Sequence, residues 1–224
     1  MKRTKLSQRT LPDYSDAQER MNALTHGLGF LASLIAPVPA LQRAAASGSV
    51  HTVVGVMVFC LSMAAMYAVS AVYHGLKPSL AKKVMQVIDH CTIYFLIAGT
   101  YTAILLTAVL RNAANLAWGM LLFQWTLAAI ATVLTAIDLR KYSVFSMLCY
   151  IGMGWAILPF WRQIMRILTV PGFTLLLLGG ISYTVGSVLY GLGKKRNRWM
   201  HTVFHVFVLL GTVLQYLAVL FYAL

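Results

Sequence analysis

The chain has 224 residues, 60% of them hydrophobic and only 10% charged, and eighteen Lys and Arg against five Asp and Glu leave a formal net charge of +13. A soluble domain carries about 25% charged residues, and a disordered chain is poor in hydrophobic ones, so both classes are excluded. With a mean hydropathy of +0.77, the sequence suits an apolar solvent, the lipid bilayer.

Residues 1–18 are polar and basic and are expected to form a flexible cytoplasmic tail; residues 19–224 are expected to form one transmembrane domain. Marking every charged residue leaves apolar windows at 21–42, 44–76, 84–110, 112–137, 142–161, 167–193 and 199–224, with Asp89 the only charge inside any of them. Each is long enough for an α-helix of about 20 residues to cross the hydrocarbon. The windows lack the short alternating segments of a transmembrane β-barrel. The predicted fold class is therefore all-α integral membrane, a seven-transmembrane helix bundle. Pro37 and Pro39 are expected to stop or kink the first helix near its far end. That helix follows a long polar tail and is read as a membrane span, not a cleavable signal.

Alternate loops differ in charge. The N-terminal tail and the second, fourth and sixth loops hold fourteen Lys and Arg, including Lys77, Lys82, Lys83, Arg140, Lys141 and Arg198; the opposite side holds Arg43, Arg111, Arg162 and Arg166. The positive-inside rule then predicts a cytoplasmic N-terminus and an outside C-terminus, in a cytoplasmic (inner) membrane. The excess charge is read as a topology signal that also meets anionic headgroups, with no nucleic-acid partner. Cys60, Cys91 and Cys149 are odd in number and lie in apolar runs, which argues for buried small hydrophobes and against a disulfide framework. Gly179, Gly180 and Gly186 sit inside an apolar window and predict close helix packing, and the five tryptophans predict core and interface anchors.

Ionisable groups within membrane helices are costly and mark function. On this topology His26, His74, Asp89, His90, His201 and His205 gather near one face of the membrane, although four separate segments supply them; His51 lies at the other face. His201 and His205 are four residues apart and project from one helix face, a two-point clamp for a metal. His74 supplies a third imidazole and leaves a fourth position open, the pattern of a catalytic zinc site. Asp89 suits a neighbouring role as proton acceptor or orienting group, and Ser70, one turn before His74, joins the network. His90 points about 100° away from Asp89 and is given no role. Asp13, Asp16 and Asp138 read as solvated tail or loop charges. A hydrogen-bonded polar cluster tying helices together or a proton relay is the alternative to a metal.

These residues carry a resemblance. Glu19-x-x-Asn22-x-x-Thr25-His26-Gly27, Ser70-x-x-Tyr73-His74, Asp89-His90, Ala98-Gly99-Thr100-Tyr101-Thr102, Met153-Gly154-Trp155, Gly179-Gly180 with Tyr183 and Gly186, and His201-x-x-x-His205 follow one another in the order of the hemolysin III family. The chain resembles those bacterial membrane proteins, which are related to the progestin and adipoQ receptors, including the adiponectin receptors. The resemblance implies seven helices, a cytoplasmic N-terminus, and Zn2+ held by His74, His201 and His205. It also implies that the carboxylate of Asp89 acts on water at that site and that Ser70 stands beside it. Ala103 replaces a frequent proline and Phe204 a frequent tryptophan; neither change removes a ligand. The function expected is that of a lipid hydrolase acting on an amide or ester bond, ceramidase-like, or of a membrane-lipid homeostasis factor, with membrane lipids as partners. The alternatives are a non-enzymatic sensor or regulator with structural zinc, and a pore-forming cytolysin.

Overall fold

The computed structural model of the protein describes residues 4–193 and 197–224. Lys2, Arg3, Lys194, Lys195 and Arg196, which contribute to the loop-charge asymmetry, lie outside the described residues.

Helix α1 (Asp16–Ile35) starts where side chains satisfy its free amides: Ser15 Oγ accepts from the Gln18 amide while the Gln18 side chain accepts from the Ser15 amide, a capping box. The acidic Asp16 and Glu19 fall in its first turn, beside the positive end of the helix dipole. Pro37 has no N–H to continue the ladder, so α1 ends and α2 (Pro37–Ala46) begins, where the prolines were expected to act. Ser49 and Ser79 cap α3 (Val50–Gly75) and α4 (Leu80–Ile104) in the same manner as Ser15, accepting from the amides of Thr52 and Lys82. The chain continues through a π-helical turn, Leu105–Val109, the short α5 (Leu110–Asn112), α6 (Ala114–Ile137), α7 (Ser143–Trp155), α8 (Trp161–Gly193) and α9 (Met200–Ala218).

Among the described residues, six helical segments are long and apolar enough to cross a membrane, and none of the structure is strand. The all-helical membrane class stands, while the windows 142–161 and 167–193 merge into one segment, Ser143–Gly193, of 51 residues. That is more than twice the length one crossing needs. It is interrupted after α7 and again at Thr169, whose φ of 65° and ψ of 167° leave the helical region two residues before Pro171.

Large apolar side chains face outward along every long helix, Leu28, Leu61, Leu122, Leu148 and Val188 among them. In water that surface would aggregate; in lipid it is the required exterior. The most enclosed segment is Leu80–Asn112, which begins with α4, with 78% of its apolar window buried against 22% for the segment containing α1. Its inner face meets Phe59, Met63 and Met66 of α3 in the main core. The cysteines are all free and buried. Glycine brings α8 and α9 together: a Cβ on Gly211 would stand 2.6 Å from the Tyr183 ring and 3.0 Å from the Gly179 carbonyl. Gly186 is equally tight against Phe207, whereas Gly180 has only ordinary contact distance to Trp155.

The segment before α1 lies across one end of the bundle. Thr4 donates its amide to Asp138 Oδ2 at 2.9 Å, Arg9 donates Nη2 to the Ile137 carbonyl at 2.9 Å, Lys83 Nζ donates to the Ser7 carbonyl at 2.6 Å, and Asp13 pairs with Arg198 at 2.6 Å. Asp138 therefore differs from the solvated charge expected. It is only 2% exposed and also accepts the amides of Arg140 and Lys141. These three amide donors hold its carboxyl down at about 2, because hydrogen bonds to the ionised form favour it.

A candidate metal centre at the ends of four helices

Helices α1, α3, α4 and α9 meet at the end of the bundle where the N-terminal segment lies. His74 occupies the last turn of α3, and His201 and His205 the first two turns of α9. One ring nitrogen from each lies within 4.8 Å of the other two, so the three rings expected to share an ion do converge. His74 Nε2 and His201 Nε2 are 3.1 Å apart. Two imidazole nitrogens on one tetrahedral zinc at about 2.0–2.1 Å stand roughly 3.4 Å apart, so the spacing needs only a slight opening to admit an ion.

The outward nitrogens show which atoms are free to bind. His74 Nδ1 lies 2.6 Å from Glu19 Oε2, and a carboxylate oxygen there requires Nδ1 to carry the proton, leaving the Nε2 lone pair for the centre. His205 Nδ1 faces the Asn22 carbonyl at 3.3 Å and the Thr25 hydroxyl at 3.2 Å. That hydroxyl donates to the same carbonyl at 2.9 Å, so His205 is also held with Nδ1 protonated and Nε2 inward. A ligand histidine fixed by a hydrogen bond on its far nitrogen is the usual support of a metal site. His201 is packed by rings instead: Tyr14 stacks on it at 5.2 Å and 16°, and Tyr190 lies 5.1 Å away. Burial and the neighbouring Tyr190 push the Tyr14 phenol above its ordinary value, so it is neutral cover over the site.

Glu19 is the largest omission from the sequence reading of the site. It is the only glutamate in the chain and binds two cations or potential cations at once, His74 at 2.6 Å and Lys82 at 2.8 Å. Lys82 is 2% exposed and donates as well to the carbonyls of Leu76 at 2.7 Å and His74 at 3.4 Å. A buried ammonium with a carboxylate and two carbonyls has its donors satisfied. The available signal is helical spacing: Glu19, Asn22 and His26 fall at i, i+3 and i+7 of α1, one face of that helix.

Ser70 and Asp89 are brought together, the serine side chain and His74 both within electrostatic reach of the carboxylate. Neither belongs to the three-histidine group. His90 lies 3.8 Å from Asp89 and directs Nδ1 to the Gln86 carbonyl at 2.8 Å, away from the centre, as adjacent helical positions require. His51 is exposed and meets the Trp118 ring at 6.2 Å.

A multi-pass helical membrane protein with a triplet of buried and half-buried histidines at one end of its bundle is the class these features define. The haemolysin-III-related family model matches residues 14–216, and the chain belongs to that family. It is 37% identical over 207 residues to Hemolysin-3 of Bacillus cereus, covering 92% of each chain. It is 35% identical over 205 residues to the Hemolysin-3 homolog of Bacillus subtilis (strain 168), covering 92% of this chain and 94% of the relative. Similarity extends at 27% identity over 169 residues to the monocyte to macrophage differentiation factor of Homo sapiens, with 72% of this chain and 67% of that protein aligned.

Proposed function

We propose that this protein is a zinc-dependent hydrolase of membrane lipids, cleaving an amide or ester bond at the cytoplasmic side of a bacterial inner membrane. The observation that carries the reading is the convergence of His74, His201 and His205 beside a separate Ser70–Asp89 pair. Imidazoles suit zinc, and two of the three have their far nitrogens fixed. Zinc held there would polarise an acyl carbonyl and acidify water. The chain's own groups divide the remaining work. Glu19 orients His74, and the Asn22 carbonyl orients His205. Asp89, steadied by the Ser70 hydroxyl, accepts the proton of the attacking water and returns it to the leaving nitrogen or oxygen as the acyl bond breaks. Lipid reaches the site between helices, since its acyl chains remain in the bilayer. The associated topology has seven crossings, with Ser143–Gly193 folded back near Thr169 and the N-terminus in the cytoplasm, in keeping with the loop charges.

The test is fatty-acid release from bacterial lipid extract by purified, zinc-loaded protein, alongside Asp89→Asn. Release by the parent, abolished in a variant that still holds zinc, supports hydrolysis. Absence of release from every lipid class refutes it and leaves structural zinc in a regulator. Dye leakage from protein-containing vesicles without hydrolysis would instead favour the pore suggested by the relatives' name.

A further inference from the structure

A fourth imidazole lies against the triplet without belonging to it. His26 of α1 is 3% exposed, and neither ring nitrogen has a hydrogen-bond partner. Its ring stacks on His205 with centroids 3.6 Å apart and planes 7° from parallel, and the edge of Tyr67 closes its surroundings at 5.2 Å and 76°. The Tyr67 hydroxyl donates to Thr212 at 2.8 Å and makes no hydrogen bond to His26.

An imidazole binds a metal through a lone pair in the plane of its ring. An ion held by His205 would be bound through that in-plane lone pair, whereas the His26 ring lies in a nearly parallel plane with its centroid 3.6 Å away. His26 is thus too far displaced to share the ion, yet adjacent to whatever group approaches it. A buried polar side chain with no partner costs about 1–3 kcal/mol, and such exceptions call for an explanation. Thr25, its chain neighbour, shows that a polar group on this turn finds protein partners when the fold provides them.

We infer that His26 is a substrate-binding residue: its N–H hydrogen-bonds the acyl oxygen of a lipid seated at the three-histidine centre. This assignment rests on the lipid-hydrolase reading above and adds the group that holds the substrate's polar end. His26 is uncharged in this role, a donor to a carbonyl or to the carboxylate of a released fatty acid.

The test uses zinc-loaded protein in phosphatidylcholine nanodiscs, with oleate as probe. Three quantities are measured for the parent, His26→Phe and His26→Gln: zinc stoichiometry, thermal midpoint and oleate dissociation constant. Phe keeps the stacked ring and removes both nitrogens; Gln restores an N–H donor. The expected result for His26→Phe is unchanged zinc, a midpoint equal to or above the parent's, and oleate binding weaker by about tenfold, the effect of losing one buried hydrogen bond. His26→Gln should recover part of that affinity. Unaltered oleate affinity in His26→Phe overturns the assignment while leaving the hydrolase reading intact. So does loss of zinc or a lowered midpoint in His26→Phe, which would make His26 a packing or ligand-supporting residue; if Phe prevents folding, His26→Ala is judged by the same criteria, with His26→Gln as the variant that restores the donor. A zinc-loaded parent that neither binds oleate nor releases fatty acid defeats the hydrolase reading and this assignment with it.

Discussion

Replacing Glu19 by Gln tests whether the carboxylate sets up the metal centre. The substitution keeps shape and one acceptor but removes the charge that His74 meets at 2.6 Å and Lys82 at 2.8 Å. The His74 side chain has no solvent exposure, Lys82 only 3% and Glu19 18%, so water reaches the site from the Glu19 side alone and replaces the lost interaction only in part. A charge-assisted hydrogen bond is about twice as strong as a neutral one, and loss of such a supporting partner typically lowers metal affinity about 10- to 100-fold. Glu19→Gln should fall near tenfold, and Glu19→Ala nearer 100-fold, since it also leaves His74 Nδ1 unbonded and Lys82 without its anion. Zinc affinity is read by competition against a chromophoric chelator in detergent, with His74→Ala as the control that loses a ligand outright. If Glu19→Gln binds zinc as tightly as the parent while His74→Ala does not, the carboxylate does not tune the centre and its pairing with Lys82 is only a helix tie.

Ser70→Ala removes the hydroxyl beside Asp89; zinc content should hold while fatty-acid release falls by about 10- to 100-fold, and undiminished release would deny Asp89 that support. Gly211→Ala forces a methyl against Tyr183 and the Gly179 carbonyl, so thermal unfolding should show a loss of about 1–3 kcal/mol; a neutral result would mean that α8 and α9 separate freely. The Thr4–Asp138 latch has a carboxyl held at about 2, below the ordinary value near 3.9. Its stabilisation is complete above about pH 4 and disappears as the pH falls toward about 2. Protection of the Thr4 amide from hydrogen exchange should decline across that window in the parent and be weak throughout in Asp138→Asn. At neutral pH the same variant should expose Arg9, whose Nη2 is engaged at Ile137, to faster tryptic cleavage; equal rates would show that the segment is held elsewhere.

The helical membrane character was legible in the chain because it depends on composition and length alone: an apolar stretch of some 20 residues satisfies its own backbone as a helix and buries its side chains in lipid. The capping serines, the break at Pro37 and the tight glycines of α8 are equally local in origin. The meeting of His74, His201 and His205 was legible from depth, since charge asymmetry and helix rise place all three at one end of the bundle. Depth does not specify azimuth. Which way each helix turns its faces depends on how ridges of neighbouring helices interlock, and only the assembled bundle settles that. Tertiary packing put Glu19 on His74 with Lys82 behind it, laid His26 flat on His205 instead of beside the other ligands, drew Asp138 under Thr4, and brought Tyr14 over His201. Each of these contacts joins segments whose relative rotation no spacing within one helix encodes.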